Sequence, residues 1–66
     1  MTDIYEEIQK RIDDEKNDAE SYLNLAEKAK DPGESQILRD IAREEEQHRR
    51  NLQYILDHRK EVEKNV

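Results

Sequence analysis

Residues 38–52, LRDIAREEEQHRRNL, decide the reading of this chain, because Glu45 and His48 fall at helix positions where apolar side chains would be expected. Around them Leu38, Ile41, Glu45, His48, Leu52, Ile55, Arg59 and Val62 recur in alternating steps of three and four. That spacing is a heptad seam, the stripe a helix turns toward a partner helix. Upstream, Tyr5, Ile8, Ile12, Glu15, Ala19, Tyr22, Ala26 and Ala29 obey the same rule. One carboxylate, Glu15, again interrupts the apolar series.

Between the two seams lie the only Pro and the only Gly, adjacent in AKDPGESQ. Asp31, Pro32 and Glu34 read as an N-cap, a proline at the first helical position and a carboxylate three residues after the cap. Helix 1 is expected over about 3–30, with Thr2 or Asp3 as its cap and Glu6 and Glu7 in the first turn, where the helix dipole favours them. The turn falls at about 31–33 and helix 2 over about 32–64. So short a connection folds the helices back as an antiparallel hairpin. The expected fold is all-α, one hairpin covering residues 1–66.

Composition limits what such a hairpin can do alone. The chain has 66 residues, of which 32% are apolar and 5% aromatic, too little for a generous core in one copy. Charged residues make up 45%, which suits long helices with solvated faces. A net charge of −6 argues against nucleic acid and anionic membrane surfaces and favours cations or basic partners. No stretch approaches the roughly 20 apolar residues of a membrane span, and MTDIYEEIQK lacks the layout of a secretion signal. The chain reads as cytoplasmic. Without cysteine, any metal has to be held by oxygen and nitrogen.

In an antiparallel pair turning near residue 32, the position across from His48 is about 16, next to Glu15. Glu45 is one helical turn from His48 on the same face. Glu15, Glu45 and His48 therefore converge as metal ligands and catalytic residues. A homodimer would bury both seams as a four-helix bundle, and a two-fold axis would double the set to four Glu and two His. This is the ligand inventory of di-iron carboxylate bundles. Two divalent ions would balance the four carboxylates. Iron, two ions per dimer, is the expected cofactor, with manganese or zinc as possible substitutes for the same donors. Tyr22, seven residues after Glu15, lies two turns along the seam and would either hydrogen-bond a ligand carboxylate or fill core space.

Plainer readings compete. Glu is so frequent that Glu-x-x-His alone is weak evidence, and its place on the seam carries the weight. Polar seam residues can also set the register of an ordinary coiled coil, which would make the chain a metal-independent helical oligomerisation module. Glu44 and Glu46 read as a solvated charge run, His58 as exposed, and Arg59 as a snorkelling or ion-paired residue near the helix end. Ile4, Leu23, Leu25, Ile37 and Leu56 flank the seams and could support a ring or dimer-of-dimers.

EKNDAESYLNLAEKAKD (15–31) followed by LRDIAREEEQHRRNL (38–52) resembles the rubrerythrin branch of the ferritin-like superfamily. The resemblance covers roughly residues 12–56: a ligand Glu, a Tyr seven residues later, then IA-x-x-E-x-x-H. Rubrerythrins carry two such helix pairs per chain. One pair is the arrangement of encapsulated ferritins, whose two-helix subunits complete a di-iron ferroxidase site at a subunit interface. The resemblance implies Glu15, Glu45 and His48 as iron ligands and Tyr22 as a residue behind them. It implies oxidation of Fe(II) by oxygen or peroxide in iron storage or detoxification, with a rubrerythrin-like peroxide or oxygen reductase as the alternative. It also implies an encapsulin shell as partner, hence a nanocompartment within the cytoplasm. The four-cysteine iron centre of full rubrerythrins has no counterpart here.

Overall fold

Asp3 takes an extended backbone (φ −67°, ψ 137°) and its carboxylate accepts the Tyr5 amide at 3.1 Å. That satisfies one of the donors every helix start leaves open, and α1 runs from there over Ile4–Lys28. The structure, a computed structural model, describes residues 3–64. Thr2, the other candidate cap, lies outside them.

The second helix, α2, spans Pro32–Lys64. The Asp31 carboxylate accepts the Glu34 amide at 2.9 Å and the Asp31 carbonyl accepts the Ser35 amide at 3.0 Å, as the Asp-Pro-Gly-Glu reading requires. Proline at 32 disfavours a helical residue before it, so the chain cannot stay helical up to the cap. Helix α1 accordingly stops at Lys28, two residues short of the expected Lys30, and Ala29 is already extended (φ −69°, ψ 129°). Across the turn, the Ser35 hydroxyl donates to the Ala26 carbonyl at 2.9 Å. This bond fastens the start of α2 to an otherwise open carbonyl at the end of α1.

The hairpin measures 54 × 23 × 11 Å, one helix thick. Its radius of gyration is 15.6 Å, against about 11 Å for a compact domain of this length. The buried apolar residues among those described are Ile8, Ile12, Ala19, Ala26 and Ala42. Three are alanines, which bring the backbones close but remove little apolar surface from water.

On α1 the patterned face is the buried face: Tyr5, Ile8, Ile12, Glu15, Ala19, Tyr22 and Ala26, with Ala29 just past its end, are all buried or half-buried, and every residue between them is exposed. On α2 the agreement is partial. Leu38, Ile41, Glu45 and Leu52 are covered as expected, but His48, Ile55, Arg59 and Val62 are exposed. Their places toward α1 go to Ala42, Glu46, Arg49, Gln53 and Leu56. Arg59 instead pairs with Glu63 at 3.0 Å and lies 5.3 Å over the Tyr5 ring.

Candidate metal centre

Glu15 sits mid-way along α1 and Glu45 and His48 are one turn apart on α2, so two capped helices fix all three Cα positions. One donor atom from each lies within 4.8 Å of the others. An ion ligated at about 2.1 Å separates opposite donors by at most about 4.2 Å. The set therefore has to tighten slightly around one ion, or serve two.

The Glu15 side chain is 24% exposed and that of His48 57%, so the site grades from a covered carboxylate to an imidazole on the rim. His48 Nδ1 stands 3.6 Å from Glu15 Oε2, beyond hydrogen-bonding distance. Glu15 Oε2 is itself buried and has no hydrogen-bond donor among the described residues. Buried carboxylate oxygens are ordinarily paired, and an orphan costs free energy until a proton or cation meets it. The Glu45 carboxyl is pushed up from its ordinary value of 4.5, first by hydrogen bonding with Glu15, then by burial and the Glu15 charge, with His48 opposing. Two carboxylates thus crowd one another beside a nitrogen donor, and the observed orphan oxygen and O,O,N donor set fit a metal ion of the iron or manganese type.

The structure brings Glu15, Glu45 and His48 together. Tyr22 is half-buried on the same face of α1, about 10 Å along the helix from Glu15 at 1.5 Å per residue. No hydrogen bond joins it to the three candidate ligands among the described residues. Glu46, expected as part of a solvated run with Glu44, is half-buried and forks onto Arg49 through both carboxylate oxygens. Arg49 lowers the Glu46 pKa and Glu46 raises that of Arg49. Ala42, facing Ala19, was the available signal that α2 turns this flank inward, since a small residue marks a close helix approach. His58 is exposed and stacks on Tyr54 at 6.1 Å.

Helix α2 presents His48 outward in company. Residues 41, 48, 55 and 62 repeat every two turns, with Ile37 one turn before Ile41. Ile37 is 61% exposed, Ile55 42% and Val62 40%, so the imidazole stands in an apolar stripe open to solvent. None of the described helices is long and apolar enough to cross a membrane.

Comparison with curated proteins and with solved structures gave no significant match. The rubrerythrin family model matches residues 4–66, including both seams and all three candidate ligands. The chain therefore belongs to the rubrerythrin family.

Proposed function

We propose that two copies of the hairpin pair through the apolar stripe of α2 and complete a di-iron ferroxidase centre between them. The observation that carries this reading is the buried, donorless Glu15 Oε2 facing Glu45 and His48. Membership of a family that usually binds iron supports the choice of metal. Half of a symmetric ligand set on the rim of a one-layer slab is what a two-fold axis would complete. Burying Ile37, Ile55 and Val62 would each contribute about 1.5–3 kcal/mol when complete.

When bound, iron supplies the redox chemistry, Fe(II) giving electrons to oxygen or peroxide. Glu15 and Glu45 would provide the oxygen donors that hold it. The mutual crowding that raises the Glu45 pKa would be relieved by a cation held between the two carboxylates. His48 would add a ring nitrogen from the rim, the side a second copy would reach. Ferrous iron is the substrate in this reading, and the ferric product passes to storage elsewhere. The resemblance to encapsulated ferritins extends the reading to a shell-enclosed compartment, for which co-purification with an encapsulin shell is the check.

Family membership favours a second reading, a peroxide or oxygen reductase that retains its iron. Stoichiometry separates the two: many irons oxidised per site, or two kept. Anaerobic addition of Fe(II) to metal-free protein, read by native mass spectrometry, tests both. Two irons per dimer are expected. Absence of iron uptake, with dimers intact, would leave only a metal-independent oligomerisation module.

A further inference from the structure

Arginine is unevenly placed in this chain: four of the six, Arg39, Arg43, Arg49 and Arg50, fall within one stretch of α2. Arg39, Arg43, Glu46 and Arg50 are spaced four, three and four residues apart, which sets them along one edge of the helix. From Glu45, one residue of advance turns about 100° to Glu46 and three turn about 300° to His48, so this edge lies on the flank of α2 opposite the imidazole. The one carboxylate among the four, Glu46, is already taken: Arg49 forks onto it and Arg50 stands 3.7 Å away. Arg43 has only Asp40, at 3.6 Å, with both side chains more than half exposed, an ion pair that solvent weakens. Arg39 has no ion-pair partner among the described residues. A chain of net charge −6 thus keeps two guanidinium groups, one turn apart, without a firm partner of its own.

These two arginines border an apolar hollow. Ala19 and Leu23 of α1 and Ala42 of α2 line it beside them, and its volume is about 320 Å³, the small end of the range of about 300–1,000 Å³ for ligand pockets. Ala19 and Leu23 also line a second hollow that reaches Lys16 and Arg49, so the two form one trough. From Leu23 to Lys16 it follows seven residues of α1, about 10 Å. The two alanines at its floor are buried, whereas Leu23 is 42% exposed. A trough between two helices, apolar at its floor and cationic along one wall, has the form that an amphipathic helix fits.

We propose that this trough docks a short acidic helix of another protein, which lays one large apolar side chain on Ala19, Leu23 and Ala42 and two carboxylates, one turn apart, on Arg39 and Arg43. Carboxylates at i and i+4 of a helix are about 6 Å apart, the spacing of the two arginines themselves. Each guanidinium can donate two parallel hydrogen bonds to a carboxylate. The apolar anchor supplies affinity through burial, and the arginines supply orientation. Nucleic acid fits less well, because a strand charged along its whole length would also run against Glu20, Asp40 and the net charge of −6. Docking here leaves the stripe around His48 open, so it does not compete with pairing of copies there. Glu46, on the edge of the trough, is next in sequence to Glu45, so the docked protein is held beside the candidate metal centre.

The test uses the metal-free full chain as bait for a displayed library of random peptides of about twelve residues, roughly three helical turns. Enriched peptides are expected to carry two Asp or Glu one turn apart with a large apolar residue beside them. The most enriched, synthesised with a fluorophore, is titrated with the chain and read by anisotropy. Arg39→Glu, Arg43→Glu and Leu23→Asp are each expected to weaken binding by about tenfold or more. Raising ionic strength from about 0.1 M to about 1 M is expected to weaken it as well, as the screening length falls from about 10 Å to about 3 Å. Lys10→Glu, an exposed site outside the trough, changes the net charge as much as either arginine reversal and is expected to bind within about twofold of the parent chain. Circular dichroism checks that each variant stays helical, and Arg43→Gln and Leu23→Ala repeat the comparison should a harsher change unfold the hairpin. No enrichment, an enriched pool without acidic residues, binding unchanged by the trough substitutions, or an equal loss in Lys10→Glu would overturn the proposal. So would displacement of the peptide by single-stranded DNA at equal concentration, or a change in the chain's own sedimenting mass on reversing Arg39 or Arg43; these results assign the trough to a polyanion or to a second copy. Iron plays no part in any readout, so failure here is distinct from failure of the ferroxidase reading.

Discussion

Helix α1 turns its whole patterned face to α2, whereas α2 divides its pattern between α1 and open solvent. The first arrangement makes a hairpin; the second leaves it unfinished, with His48, Ile55 and Val62 facing outward. Glu45 stands at the division, touching the α1 side through Glu15 and the open side through His48. The difference shows how one strand of heptad spacing can serve two partners: positions three and four apart form a stripe wide enough to straddle the edge of a helix pair.

The most disruptive way to probe this division is at Glu45 itself. If Glu45 holds iron as proposed, Glu45→Ala is expected to lower iron affinity by about 100-fold or more, since even partners behind the ligands matter by about 10–100-fold. Native mass spectrometry of Fe(II)-loaded protein would register the loss, and uptake equal to the parent chain would break the metal reading.

Next comes a contrast between helices. Ile12→Ala, on the face of α1 that the hairpin covers, is expected to cost about 2–4 kcal/mol in urea unfolding. Ile55→Ala is expected to cost less than about 1 kcal/mol in dilute protein, where its side chain is open, and more as concentration rises and dimers form. Equal losses at all concentrations would mean that the outward stripe of α2 is ordinary surface.

Acidity offers a subtler probe. A folded-state pKa raised above 4.5 at Glu45 means that the folded chain binds more protons than the unfolded one. The associated stability is fully present below about 4.5 and is lost as pH rises through the folded value. Metal-free protein is therefore expected to gain stability at this site on mild acidification from neutrality, and Glu45→Gln to flatten that segment of the profile. Thermal melts of both chains across pH 4–7 would decide it. The smallest effect is assigned to Tyr22→Phe: with no hydrogen bond to the ligands, its hydroxyl is expected to change iron affinity by no more than about twofold.

Most of this organisation was legible in the residues. The caps at Asp3 and Asp31 and all seven inward positions of α1 follow from local chemistry and spacing, because α1 has one partner and its pattern points one way. The meeting of Glu15 with Glu45 and His48 follows from the position of Asp-Pro-Gly. On α2 the seam and the cover given by α1 part company at His48, Ile55, Arg59 and Val62, while Leu52 stays covered. Arg49 and Glu46 look like surface residues, but each cancels the other's charge and lends its aliphatic stem to the contact. Ala42 announces its buried position by small size rather than by hydrophobicity, so a search for apolar spacing passes over it. A spacing rule finds that a face is apolar, and identifies what covers it only where a single neighbour is available.

The 11 Å thickness of the hairpin has a further consequence for how the backbone breathes. No amide in a slab one helix deep is more than one side-chain layer from water, so slow hydrogen exchange has to come from neighbours rather than depth. The deuterium uptake of residues 41–55 would then fall as copies gather. An ordinary domain keeps its exchange rates on dilution; in this chain they would act as a gauge of company.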